Sequence, residues 1–502
     1  MSYNPTQEDI ALLYQSSRSI YARLEILNKS MKMVGTLEGV MISDRYIFDA
    51  SANSRKTASI SLYVSDSSFL IGNDRKIWFD KYIRLNIGIY SLISHEVVWY
   101  RIGTFIYTDA RYSYDAATRQ LDIELCDRMA EFDGTRNGVI SGYQTKIYVD
   151  SPIRDAMVST VTQLGGVDNF RITIDGTVPY DLEFNTGVTV NEIIAKLRDL
   201  NVGYETFFDD DVFICQRYPD TTADPVVLDD AITHDLVISE NLSTSFTGVY
   251  NVVEVWGKCL DADTYTENVS YSGNVYSFTN TAISELSHGD DIGFKAPSDN
   301  LAGANLKINS FTAYPICDDS GSPISVGKIK AGKSYVVRYK RLGGTSYFYL
   351  LGEYQIVAVA KLVSKEPTDA EKEQDLQNNP TTNIFYVVEP DSPFGADLIG
   401  EIRNVLSGGE YDDIYSEDLA VQRAKYELWL SSDMKEEISL VMVDIPWLDV
   451  NQKIEYTPMS TGKPGVYMVR QKDSSTTEGT MNLSCVTFNP TYPWLDETQS
   501  QV

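Results

Sequence analysis

The stretch that decides the fold runs from Trp99 to Ala130, WYRIGTFIYTDARYSYDAATRQLDIELCDRMA. In its second half Leu121, Ile123 and Leu125 alternate with Gln120, Asp122 and Glu124, the period-two pattern of a strand with one buried face. A polar-aromatic strand comes first, and Tyr114-Asp115-Ala116-Ala117-Thr118 has the composition of a turn. The stretch reads as a β-hairpin, a building element with nothing that resembles a nucleophile and its base.

The same alternation recurs in Ala58 to Val64 (ASISLYV) and Tyr82 to Ile89 (YIRLNIGI), so Tyr21 to Asp127 is expected to form an antiparallel sheet or barrel. Before it, a Thr6/Asp9 capping pattern with Ile10, Leu13 and Tyr14 predicts a short amphipathic helix. Between about 145 and 220, the capping box Thr189/Glu192 opens a helix with Val190, Ile193, Ile194, Leu197 and Leu200 on one face. A strand at Phe170 to Ile174 precedes it and the hairpin YETFF-DDD-VFICQ follows, which makes a small α/β module.

Strands resume from 222 to 258, ending in VYNVVEVWG, and residues 260–363 are β-rich with many turn residues. Lys365 to Thr382 is charged and poor in apolar residues, so it reads as a linker. Two helices are expected after it. One spans Ala396 to Leu406 and stops at Gly408-Gly409; the other starts at Ser416, with Glu417 and Asp418 in its first turn and Ala420, Ala424 and Leu428 on one face. IWFDKYIRLNIGI (77–89) and PWLDVNQKIEYTP (446–458) echo each other, each followed by a hairpin, as two copies of one barrel would.

The 502 residues predict two to four domains. The net charge of −29 disfavours gripping phosphate backbones or anionic lipid surfaces. No apolar run approaches the roughly 20 residues that span a bilayer, and the first residues lack a signal-peptide pattern, so folding in the cytoplasm is expected. Cys126, Cys215, Cys259, Cys317 and Cys485 stand singly, which suits reduced thiols better than zinc or disulfides. The 33 tyrosines suit β-rich surfaces that meet other proteins.

Chemistry finds few candidates. His95, His234 and His288 are the three histidines, and none sits in a zinc-protease pattern. Cys126 reads as an inert structural thiol. Asp209-Asp210-Asp211 is dense enough for a hard cation but lacks the alternation of a calcium loop, so it reads as a hairpin turn whose replacement by Asn leaves assembly intact. His288-Gly289-Asp290-Asp291 and Cys317-Asp318-Asp319 read as loops, Gly165-Gly166 and Gly343-Gly344 as turns. A carboxylate pair for sugar hydrolysis is a spatial matter, and nothing selects one. No catalytic, cofactor or metal residue is assigned.

The order of these parts resembles the baseplate hub (tail hub) proteins of long-tailed bacteriophages. The resemblance is carried by IWFDKYIRLNIGI, the Trp99–Ala130 hairpin and VPYDLEFNTGVTVNEIIAKLRDLNVGYETFFDDDVFICQR early in the chain. Late in the chain SEDLAVQRAKYELW, DIPWLDVNQKIEYT and TMNLSCVTFNPTYPW carry it. It implies a mainly β fold with α+β modules and two tail-tube-like antiparallel β-barrels. The first barrel, with the N-terminal helix, is expected over 1–144, a small α/β module over 145–221, and the second barrel with its helices over 222–258 and 383–502. An inserted β-rich domain over 259–364 and a linker over 365–382 complete the chain.

The family's role implies a homotrimer that adapts a six-fold tail tube to a three-fold tip in the virion tail baseplate. Its partners would be the distal tail protein or tube end, the tape-measure protein and a tip or fibre protein, with DNA passing through unbound and no stable membrane insertion. No enzyme activity or cofactor is implied. The alternatives are a tail-tip cell-wall hydrolase, a carbohydrate-binding tail protein using Tyr335, Tyr339, Tyr347, Tyr349 and Tyr354, or the hub of a phage-like bacteriocin. Trp447, opening a strand of the second barrel, is expected to pack in its core, so that Trp447→Ala harms folding or assembly.

Overall fold

The computed structural model describes residues 5–490 apart from 39–40, 65–67, 69, 115–118, 143–144, 179–180, 202, 220, 261, 319, 343, 379–383, 415 and 476–477. The turn expected at 115–118, Asp319, Gly343, the end of the expected linker and the closing Tyr492-Pro493-Trp494 thus lie outside the described residues. The described residues form two compact units, one within 5–246 and 434–490, the other within 247–433.

The first unit is organised by a 13-stranded sheet. Its strands are β1 (Ile20–Asn28), β2 (Met33–Glu38), β3 (Met41–Asp49), β4 (Lys56–Tyr63), β5 (Lys81–Tyr90), β6 (Val97–Tyr114), β7 (Arg119–Asp127), β8 (Val226–Leu228), β9 (Val237–Thr244), β10 (Glu436–Val443), β11 (Lys453–Tyr456), β12 (Gly465–Ser475) and β13 (Thr480–Thr487). They lie in the order β9-β10-β13-β12-β3-β4-β7-β6-β5-β1-β2, with β11 beside β12 and β8 beside β11. The strand phase read from the sequence holds: Leu121, Ile123 and Leu125 are all buried.

Two tail-tube-like antiparallel β-barrels were expected. In the structure the C-terminal half of β12 hydrogen-bonds to β3, so both strand sets share one large, mainly antiparallel sheet over one core. Helix Gln7–Leu13 covers part of that core, started by the capping box of Thr6 and Asp9. The α/β module has its own core, in which helix Val190–Asp199 lays Ile193, Ile194 and Leu197 against Phe208 and Phe213. Its capping box, Thr189 with Glu192, is also formed.

The second unit starts with strand Val252–Cys259, expected with the second barrel. It pairs instead with Gln355–Val363 on one edge and Arg403–Leu406 on the other. Helix Glu417–Ser431 buries Ala420, Ala424 and Leu428 against this sheet's Val253, Val255, Ala358 and Ala360. Residues Thr264–Glu353 build an eight-stranded sheet around a separate core. There Tyr335 and Tyr339 are core residues and Tyr354 stacks on Tyr265, so these tyrosines of the possible sugar platform serve packing.

Two segments of this unit read differently in structure. Inside the expected linker, Asp369–Asn378 is a helix, begun by reciprocal hydrogen bonds between Thr368 and Glu371. It links the parallel strands Gln355–Val363 and Ile384–Val388 and is therefore a crossover, not a boundary. The helix expected over 396–406 ends at Ile399, because Gly400 takes a left-handed backbone (φ +84°), and the following residues join the sheet as strand Arg403–Leu406.

Candidate functional site: a repeated half-sheet and its joint

Strand registers expose a duplication much longer than the sequence echo. β4 faces β7 in seven unslipped pairs from Thr57–Cys126 to Tyr63–Gln120. β10 faces β13 in seven pairs from Glu437–Val486 to Val443–Thr480. β6 and β7 make three pairs, skip Thr108, and resume at Asp109–Glu124. β12 and β13 make three pairs, skip Arg470, and resume at Gln471–Ser484.

The next pair repeats as well. β3 and β4 pair at Met41–Leu62, skip Ile42 and resume at Ser43–Ser61. β9 and β10 pair at Val237–Met442, skip Ile238 and resume at Ser239–Val441. A bulge is a local feature set by particular residues, so two bulges at matching positions of matching strand orders mark two copies of one unit. The register also sets Ile454 of β11 opposite Tyr467, as Ile83 of β5 lies opposite Phe105, which aligns the isoleucines of the sequence echo. The copies differ in one respect: β1 runs antiparallel to β5, whereas β8 runs parallel to β11. The second unit of the chain enters between β9 and β10, where the first copy has only the link from Ala50 to Arg55.

The copies meet where β12 pairs with β3, Gln471 opposite Asp49, Lys472 opposite Phe48, Asp473 opposite Ile47 and Ser474 opposite Tyr46. Ala50 N–H also donates to Arg470 O at 3.0 Å. Because the bulge at Arg470 reverses the alternation, Lys472 and Ser474 point inward and are fully buried. The Lys472 Nζ donates to Ile445 O (2.5 Å) and Leu448 O (3.1 Å) and lies 3.9 Å from the buried Asp444 carboxylate. Asp444 also accepts from Tyr46 OH (3.1 Å) and Ser474 Oγ (3.0 Å). Outside, Arg45 grips Asp473 through two nitrogens, at 2.8 and 2.5 Å.

Burial pushes the Lys472 ammonium down to about 8, against the pull of Asp444 and Asp449. Free lysine titrates at 10.5, so between these values the unfolded state holds the extra proton and stability rises with pH. Wild type minus Lys472→Met is therefore expected to gain roughly 3 kcal/mol between pH 8 and 10.5. Urea unfolding of both proteins across that range checks it, and a flat difference would contradict the buried ammonium.

A second buried cluster ties three parts of this unit together. Arg55, beside β4, donates to Glu205 of the module (3.0 Å) and to Val450 O (2.7 Å), with its guanidinium over the Phe207 ring. Glu205 also accepts from Asn451 (2.5 Å) and Gln216 (2.9 Å). Asn451 in turn receives the bulged Arg470 at 2.7 Å. Beside it Asp449 pairs with Lys56 at 3.0 Å. Burial raises the Asp449 carboxyl, but Lys56 and Arg55 outweigh this and bring it down to about 2.

Asp209-Asp210-Asp211 is the hairpin turn expected, yet its middle residue is not idle. Asp210 (φ +57°) takes a bidentate pair from Arg84 (2.9 Å each), a bond from Arg101 (2.5 Å) and one from Thr104, clamping the module on β5 and β6. Replacing the three aspartates by asparagine, silent on the sequence reading, is now expected to cost about 1.5–3 kcal/mol, the scale of charged hydrogen bonds. Urea unfolding of the triple variant beside an Asp209/Asp211 double variant that spares Asp210 measures this.

The remaining sequence candidates stay apart. Among the described residues no cluster of three or more His, Cys, Asp or Glu side chains is arranged to hold a metal. Asp290 receives Ser287 N–H and Asp291 pairs with Arg338, while Asp318 organises its own turn through Ser320 and Ser322. Gly166 and Gly344 have positive φ in turns. Burial pushes the Cys126 thiol up to about 12, an inert state. Trp447 is buried in the shared core, but in the link between β10 and β11 rather than in a strand.

The family described as Domain of unknown function (DUF5048) matches residues 391–492, a minor part of the chain. No curated protein matches. Over most of its length the chain is similar to solved tail proteins. One is the 43 kDa tail protein of prophage MuSo2 from Shewanella oneidensis, at 13% identity and TM-score 0.45, covering 93% of this chain and 98% of that one. Prophage tail protein gp18 from Listeria monocytogenes matches at 7% identity and TM-score 0.43, covering 95% and 97%. The chain is also similar to a chain of the Francisella PdpA-VgrG complex, at 9% identity and TM-score 0.42, covering 95% of this chain and 54% of that one.

Proposed function

We propose that this chain is a structural hub of a phage tail baseplate, acting through geometry and without a reaction or cofactor. Three copies form a ring that offers six similar half-sheets to a six-fold tail tube and a three-fold face to the tip. DNA passes through the middle unbound, which suits a chain of net charge −29. The observation that carries the reading is the duplicated half-sheet, joined side by side in one sheet with both bulges in the same register. A duplicated half turns three chains into six equivalent positions. The sequence resemblance to baseplate hubs supplies the setting and the partners: the distal tail protein or tube end, the tape-measure protein, and a tip or fibre protein. The test is native mass spectrometry with negative-stain imaging of the full chain. A ring of about three times 56.3 kDa is expected, and a monomer at every concentration would contradict it.

A further inference from the structure

The joint inside the chain uses one edge of β12 and one edge of β3. By the duplication, the counterparts of these strands are β6 and β9. Past Phe105, β6 is joined along its β7 edge, and among the described residues no further strand adds to it; β9 likewise pairs with β10 alone. Among the described residues β6 and β9 thus each have an edge to which no strand is added, as does the end strand β2, and the edges of β6 and β9 are the ones that the other copies of the same strands bring together. Such edges invite pairing. Side chains beside them are solvent-facing although apolar: Tyr114 is 76% exposed and Phe246 81%. The residues of the formed joint, Tyr46, Phe48, Lys472 and Ser474, are at most 2% exposed.

We propose that the neighbour-to-neighbour contact in the ring is a copy of the internal joint, β6 of one chain pairing antiparallel with β9 of a second copy. The inference rests on the ring reading above and adds the surface, the partner and the register. Lys472 opposite Phe48 transfers to Ala110 opposite Thr244, and Asp473 opposite Ile47 to Arg111 opposite Ser243. The Ala50 to Arg470 bond becomes Phe246 N–H to Thr108 O. The contact is head-to-tail, because one chain gives its first copy and the next chain its second, and such contacts make rings when the rotation closes.

The register yields a sharp test. With Ala50 and Arg470 hydrogen-bonded, the pair Asp473–Ile47 is of the non-hydrogen-bonded kind, and so is its counterpart Arg111–Ser243. Such pairs sit at a Cα separation of about 4.5 Å, inside the roughly 4.4–6.8 Å window of disulfides. The full chain carrying Arg111→Cys and Ser243→Cys, oxidised at assembly concentration, should link most chains covalently into a closed oligomer. Peptide mapping, which sets aside the native exposed Cys259, should place the link between positions 111 and 243. Arg111→Cys with Thr244→Cys puts the thiols on opposite faces and should lose this link.

Ala110→Pro gives a second reading. The Ala110 N–H donates to the Asp109 side chain (2.8 Å) and not into the β7 ladder, and its counterpart Lys472 faces β3. The variant should keep its fold by circular dichroism and lose the oligomer. A ring of the expected mass with no 111–243 link, or with Ala110→Pro assembling normally, overturns this joint and leaves the ring standing. A link between 111 and 111 in the single variant marks a two-fold contact and also overturns it. A chain that stays monomeric and unlinked overturns both joint and ring.

Discussion

Asp444→Ala is expected to destabilise the first unit by about 3–5 kcal/mol, the usual loss when one partner of a buried ion pair is removed. Three groups depend on this carboxylate. Lys472 keeps its two carbonyl acceptors but loses its counter-charge, while Tyr46 OH and Ser474 Oγ lose an acceptor inside the core. The melting temperature should fall by on the order of 10 °C. Asp444→Asn keeps one acceptor oxygen for Tyr46 and Ser474 to share, and its stability should fall between those of wild type and Asp444→Ala. A double-mutant cycle with Lys472→Met isolates the charge term. An Asp444→Ala protein within about 0.5 kcal/mol of wild type, the scale of an ordinary surface substitution, would mean that the joint is held by strand pairing alone.

Glu205→Ala should cost a similar amount, about 3–5 kcal/mol, for a related reason. Arg55 would remain buried with Val450 O and a carboxylate oxygen of Asp449 at 3.7 Å, and its Nε already has no partner among the described residues. Asn451 and Gln216 would each lose an acceptor. Since the cluster ties β4, the α/β module and the link before β11, the loss should appear as lower cooperativity in urea as well as a lower midpoint. Replacing Arg55 and Glu205 together by methionine removes both charges and should restore much of the stability. Equal losses for the single and double variants would show that packing, and not charge, holds the module.

The strand phases were legible because period two survives wherever a strand is unbroken, as at Leu121, Ile123 and Leu125. The capping boxes at Thr6 and Thr189 were legible because both partners lie within four residues. Lys472 was not: read straight along VYMVRQKDS its charge suits a solvated face, and only the bulge at Arg470 turns it inward. The same bulge at Thr108 concealed the extent of the duplication, which sequence identity barely preserves but hydrogen-bond register does. Asp210 was placed correctly in a turn, yet its partners Arg84 and Arg101 lie more than a hundred residues away. Helix Asp369–Asn378 escaped notice because it lacks an apolar face and is marked only by its Thr368/Glu371 cap.

The central claim is that one chain supplies two equivalent positions of a six-position ring. A cryo-electron microscopy reconstruction of the assembled protein, computed without imposed symmetry, tests it directly. The account predicts three chains and six half-sheets at near-equal rotations of about 60°, with the β12–β3 joint inside each chain matched by a β6–β9 joint between chains. A ring in which the two halves of each chain take unrelated positions, or whose neighbours meet through other surfaces, would contradict it.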